Sequence, residues 1–145
     1  MKETTRFLDN PKALGYVIGA GLTYGVAYNF TYCNLMEMLW IDASLIHAGD
    51  FRHGPLEIVS PDKNFIFFLG EEPSRKVVER ACKFASQFTK NIAILDIADE
   101  IVDQPDFSPF YDHVATNTLT YHLARRRERS LEIRRYYGGK VEYPE

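Results

Sequence analysis

The sequence predicts a single α/β domain, a three-layer sandwich in which a mainly parallel sheet carries helices on both faces. Three observations point there. Short apolar runs at 14–18, 43–48, 64–70 and 91–97 have the length and continuity of strands buried on both sides. The stretch 77–88 repeats Val77, Val78, Ala81, Phe84, Ala85 and Phe88 at helical spacing. Strand-like and helix-like segments alternate along the chain, the signature of a parallel sheet with crossover helices. At 145 residues, 46% hydrophobic and 26% charged, the chain suits one soluble globular domain with a sizeable core.

Residues 1–12 form a charged, mixed lead-in, with Pro11 barring helix at that point and no apolar signal segment. The run 13–41 carries one charge, Glu37. Gly15, Gly19, Gly21 and Gly25 interrupt it and Thr23, Asn29, Thr31 and Asn34 are polar, so a buried strand and helix are expected rather than a membrane span. The strand at 14–18 runs into Gly19-Ala20-Gly21, a tight turn opening a helix over 22–39. Backbone N–H groups at such a turn can receive an anion. The spacing G-x-G-x-x-x-G departs from the dinucleotide fingerprint, and a plain strand-to-helix turn is favoured over phosphate contact.

Stepping back from Glu37 at helical intervals gives Cys33, Phe30 and Val26, an apolar stripe. A carboxylate sharing that face needs a partner or a proton, and a histidine loop sixteen positions later favours an acid/base role over a structural ion pair. That loop, Gly49-Asp50-Phe51-Arg52-His53-Gly54-Pro55, follows the second strand and precedes a short helical turn at 56–59, for which Pro55 is a suitable first residue. His47, His113 and His122 are expected to have ordinary surface or capping roles. After the third strand, Pro73 and Ser74 open the amphipathic helix behind the acidic pair Glu71-Glu72. The fourth strand leads to a solvated acidic loop at 99–106, and a last long helix covers 109–127. Its arginine-rich end is explained by the helix dipole without a ligand. The tail 134–145, which opens Arg-Arg-Tyr-Tyr-Gly-Gly-Lys-Val-Glu-Tyr, is too aromatic for a disordered end. It is expected to pack on the domain or on a neighbouring subunit. In such folds ligands bind beyond the carboxyl ends of the strands, which directs attention to the Gly19–Gly21 turn and the His53 loop.

A net charge of −3 gives no case for nucleic acid or an anionic membrane. Cys33 and Cys82 lack metal or C-x-x-C spacing and read as reduced thiols of a cytoplasmic protein.

The segment from Glu37 to the His53-Gly54-Pro55 loop resembles the second sugar isomerase (SIS) domain of phosphosugar aldose–ketose isomerases, in which a late-helix Glu precedes by sixteen residues the His of a G-[DE]-x-x-H-G-P loop. Phe51-Arg52-His53-Gly54-Pro55-Leu56-Glu57-Ile58-Val59 and the Arg-Arg-Tyr-Tyr-Gly-Gly tail resemble the fructosamine deglycases more closely, a group that includes the fructoselysine-6-phosphate deglycases. The resemblance implies a flavodoxin-like α/β fold for 13–133 and deglycation of an amino-acid-linked fructosamine 6-phosphate. It implies Glu37 as the base at C1 and His53, reaching in from a neighbouring subunit, for ring opening and proton transfer at oxygen. Substrate contacts are expected from Gly21, Thr23, Arg52, Arg135 and Tyr137, with no metal and no cofactor. The family carries two such domains, with serine- and threonine-rich phosphate loops mainly in the first. Resemblance to the second therefore implies a homo-oligomer or association with a first SIS domain. Two other readings stand beside this one: an isomerase or aminotransferase half forming glucosamine 6-phosphate, and a non-catalytic sugar-phosphate-binding module.

Overall fold

The computed structural model describes residues 15–96, 108–138 and 140–144. Four strands, β1 (Gly15–Gly19), β2 (Ala43–His47), β3 (Asn64–Leu69) and β4 (Ile92–Asp96), form one sheet in the order β2-β1-β3-β4. Every pairing is parallel, with Val17 opposite Leu45 on one side and Ile66 on the other, and Phe67 opposite Ile94. The four apolar runs thus become the four strands. β3, an unbroken apolar run, is buried at every position, whereas edge strand β2 is half-exposed.

Helices cover both faces. α1 (Thr23–Asn29) and α3 (Ser108–Arg126) lie over Val17, Ile66 and Phe68, while α2 (Arg75–Ala85) lies over Ile18, Phe65 and Phe67. The split follows strand alternation: successive side chains point to opposite faces, so one buried strand feeds two cores. α2 turns Val78, Ala81, Cys82 and Ala85 inward, the period its sequence shows. Phe30, Phe65, Phe67 and Phe68 are almost wholly buried, and each such side chain stabilises the fold by about 1.5–3 kcal/mol. No described helix is long and apolar enough to cross a membrane. The lead-in at 1–12 and the acidic loop at 99–106 lie outside the described residues.

The helix expected over 22–39 has two geometries. After α1 the chain continues as a π-helical segment, Phe30–Met38. The Leu39 N–H reaches the Asn34 carbonyl at 3.0 Å and the Ile41 N–H the Leu35 carbonyl at 2.8 Å. Thr31 donates its hydroxyl to the Ala27 carbonyl at 2.7 Å, competing for an acceptor in the helical ladder. The segment is pinned to α3 by Asn34, whose amide donates to Thr120 Oγ1 at 2.7 Å and Asn117 Oδ1 at 3.2 Å. The wider helix turns through fewer degrees per residue than an α-helix. Its buried residues are Phe30, Thr31, Asn34 and Leu35, and Glu37 is carried to the flank. The apolar-stripe placement of Glu37 alongside Phe30 and Val26 is corrected on that ground.

Trp40, at φ 55°, turns the chain out of this segment into β2. At the end of α3, Glu128 has φ 50°, its N–H reaching the Arg125 carbonyl and the Arg129 N–H the Ala124 carbonyl. This paired closure aims the following residues back across the end of the π segment.

Candidate active site

Glu37 lies at the mouth of a cleft of about 530 Å³, at the edge of the sheet where the strands begin. One side is the helix face bearing Tyr28, Tyr32, Cys33 and Met36; Trp40 and Asp42 close the end, and the tail residues Arg134, Arg135, Tyr136 and Tyr137 form the facing wall. Arg134 Nε donates to Glu37 Oε1 at 2.9 Å, their side chains 21% and 32% exposed. The lone acid of a long uncharged run therefore finds its counter-charge 97 positions away. Arg134 also donates to the Leu131 carbonyl, and Lys140 Nζ to the Arg134 carbonyl at 2.5 Å.

Two guanidinium groups lie over the Trp40 ring, Arg129 Cζ at 3.1 Å and Arg135 Cζ at 3.8 Å from its centroid. Arg129 donates to the carbonyls of Met38, at 3.0 Å, and Ile133, at 2.9 Å. It thus satisfies a carbonyl at the end of the π segment and binds the tail to it. Cations gather here because both helices present their carbonyl ends at this edge. Cation–π contacts of this kind contribute on the order of 0.5–2 kcal/mol each.

Arg135, Tyr137 and Glu37 are thus in one cleft, and Arg52, His53, Gly21 and Thr23 are not. Arg134, Trp40 and Arg129 were not among the sequence candidates. Arg134 had a usable signal, because a lone half-buried carboxylate requires a cation and the tail supplies two adjacent arginines.

His53 is exposed on the other side of the sheet. Its loop packs there through Phe51, whose ring meets Phe65 at 6.4 Å and Phe84 at 6.3 Å. Gly54, at φ 137°, precedes a single 3₁₀ turn, Pro55–Ile58, as the sequence suggested. Arg52 borders a separate apolar groove of about 220 Å³ with Arg80, Phe84 and Leu56. Within one chain Glu37 and His53 do not face a common space. Among the other histidines, His47 shapes its own turn, its Nδ1 accepting the Gly49 N–H at 3.1 Å.

The turn after β1 is occupied by the chain itself. β1 and β3 flank the point where the strand order reverses, the usual ligand crevice of such sheets. There Glu72 Oε1 accepts the Leu22 N–H at 2.9 Å and the Ser74 hydroxyl at 2.8 Å. A Cβ on Gly21, at φ +55°, would lie 2.6 Å from Glu72 Oε1, and one on Gly70 would overlap Glu72 Oε2. A carboxylate packed between two glycines fills the place an external anion would take. Thr23 is completely buried and donates its hydroxyl to the Ala20 carbonyl at 2.9 Å, a packing role in place of the expected substrate contact. Glu72 is thereby also drawn away from the simple helix-dipole role its position before α2 suggested.

Beside this crevice Asp112, on α3, is fully buried, and neither carboxylate oxygen has a hydrogen-bond partner among the described residues. Burial, reinforced by the nearby Glu72 and Asp96 charges, pushes it up to about 7. Asp96 itself holds Arg75 at 2.6 Å, and Arg75 also bridges Glu71 and Glu79, each at 2.7 Å. Arg75 thus ties β4 to the start of α2. Among the described residues no three His, Cys, Asp or Glu side chains converge as metal ligands would.

No protein-family model matches the chain. It is 40% identical over 131 residues to the fructoselysine 6-phosphate deglycase of Escherichia coli K12, covering 88% of this chain and 38% of that protein. It is 37% identical over 134 residues to a fructosamine deglycase of Bacillus subtilis, covering 88% and 40%. A crystal structure of a candidate phosphosugar isomerase from Bacillus subtilis superposes with a TM-score of 0.88 at 32% identity, covering 98% of this chain and 45% of the other. The chain spans less than half the length of each of these proteins.

Proposed function

We propose that the chain is a sugar isomerase domain and supplies the base-bearing half of a fructosamine-6-phosphate deglycase. The observation that carries the reading is Glu37, held by Arg134 across an aromatic-walled cleft, in a chain 40% identical to a fructoselysine 6-phosphate deglycase. The substrate is an open-chain ketose 6-phosphate whose C1 bears the amine nitrogen of an amino acid. Glu37 removes a proton from C1, and the electron pair moves toward the C2 carbonyl to give an enaminol. Return of the proton at C2 leaves a C1 imine, which water hydrolyses to glucose 6-phosphate and the free amino acid. Arg134 fixes the carboxylate's position so that one oxygen faces the cleft.

His53 serves ring opening and proton transfer at oxygen. Because it lies across the sheet from the cleft, a site that uses both residues takes His53 from a second copy. The working unit is therefore a homo-oligomer, joined by a first sugar isomerase domain that binds the phosphate. The free Cys33 and Cys82 suit a reducing cytoplasm.

The test is turnover of fructoselysine 6-phosphate by the whole protein carrying this chain, followed through glucose 6-phosphate release. Glu37→Gln keeps an acceptor for Arg134 and removes the base, so kcat should fall on the order of 10²–10⁴-fold with the melting temperature little changed. Turnover near wild type in that variant would remove Glu37 from the chemistry. Absence of glucose 6-phosphate release by the wild type, with fructose 6-phosphate and ammonia converted instead, would replace the reading with the aminotransferase type.

A further inference from the structure

The tail arginine beside the Glu37 partner has a different environment. Arg134 is engaged by Glu37, whereas Arg135 has no hydrogen bond or ion pair among the described residues, and its guanidinium lies 3.8 Å from the Trp40 centroid. A guanidinium laid on an indole is restrained in orientation while its N–H edges stay free, a pre-formed fork for a planar anion. Resting on the deglycase reading, we infer that Arg135 receives the carboxylate of the substrate's amino-acid half and so sets specificity at that end.

Two anions on such a substrate compete for this assignment, and the charges of the cleft separate them. Arg134 and Arg135 are matched there by Glu37 and Asp42, so the lining is close to neutral. A phosphate dianion would meet two carboxylates with only one unengaged guanidinium. A singly charged carboxylate needs one guanidinium, and the bidentate Arg–carboxylate geometry suits it. The exposed Tyr136 and Tyr137 rings beside Arg135 give the aliphatic part of an amino acid an apolar surface. A phosphate would have no use for it.

The experiment compares two substrates in the whole protein: fructoselysine 6-phosphate and its analogue with 1,5-diaminopentane in place of lysine, identical except for the carboxylate. Hydrogen bonds to charged groups support a preference of about tenfold or more in kcat/KM for the carboxylate-bearing substrate. Arg135→Gln should bring the ratio close to one, and Arg135→Lys, which keeps the charge without the fork, should hold an intermediate ratio. Equal losses on both substrates in Arg135→Gln, with the wild-type ratio preserved, would assign Arg135 to the phosphate or to the tail's fold and overturn the inference. A wild-type ratio of one would also overturn it, with the deglycase reading intact. Turnover of neither substrate by the wild type removes that reading, and this inference with it.

Discussion

Asp112→Asn should remove one large pH-dependent contribution to the stability of the fold. Asp112 is 0% exposed and faces the Glu72 and Asp96 charges, and its carboxyl is pushed from the ordinary 3.8 to about 7. The folded state therefore holds this proton more tightly than the unfolded chain does. The stability contributed by Asp112 is therefore greatest in acid, falls as pH rises through the interval from about 4 to about 7, and stays low above it. Three pH decades at about 1.4 kcal/mol each make the ionised side chain cost on the order of 4 kcal/mol above pH 7. Asparagine matches the shape without the charge, but its amide brings a pH-independent cost of about 1–3 kcal/mol for buried donors lacking acceptors. The diagnostic quantity is therefore the change with pH. Between pH 4 and pH 8 the variant should gain on the wild type by on the order of 4 kcal/mol, or roughly 10 °C in Tm for a domain of this size. Thermal melts followed by circular dichroism at a series of pH values measure it. Parallel wild-type and variant curves across that range would refute the reasoning, because they would mean that Asp112 is ionised and compensated in the native state.

Three further outcomes follow from the geometry. If His53 crosses between copies, inactive Glu37→Gln and His53→Ala proteins should, after co-refolding, regain about a quarter of wild-type activity for randomly assorted two-fold pairs; no recovery argues for both residues acting within one chain. Gly21→Ala should lower stability by about 1–3 kcal/mol in chemical denaturation, since φ +55° and a Cβ overlapping Ser74 Oγ are both unfavourable. Gly25→Ala, with open space at its Cβ, should be neutral or gain up to about 1 kcal/mol in the same measurement.

The layered α/β fold was legible because its signals are local. The 64–69 run could hardly be other than a buried strand, and the 3.6-residue period of α2 states which side faces the sheet. Three features of the site were not legible. The π geometry of 30–38 depends on a ladder shifted by one residue and on Asn34 reaching Thr120 of α3, which no window around Glu37 contains. Which of the two adjacent tail arginines meets Glu37 depends on α3 closing at Glu128 and returning the tail across the cleft. Gly21 and Thr23 were attractive as anion contacts because a glycine turn at a helix start offers N–H groups. What the pattern cannot show is that Glu72, fifty positions from Leu22, already accepts one of them.

That internal anion bears on how the chain works. In a parallel sheet the crevice at the reversal of strand order is the natural ligand site, and here a carboxylate wedged between Gly21 and Gly70 occupies it. A dianionic phosphate entering that crevice would meet the Glu72 carboxylate already in its place, which repels it. The cleft with Glu37 is at the opposite edge, where the helices end and arginines collect on their carbonyl ends. On the proposed reading the chemistry lies at the edge where parallel α/β domains seldom bind ligands, while Glu72 fills the conventional site. Such a division is consistent with phosphate capture by another domain and proton transfer by this one.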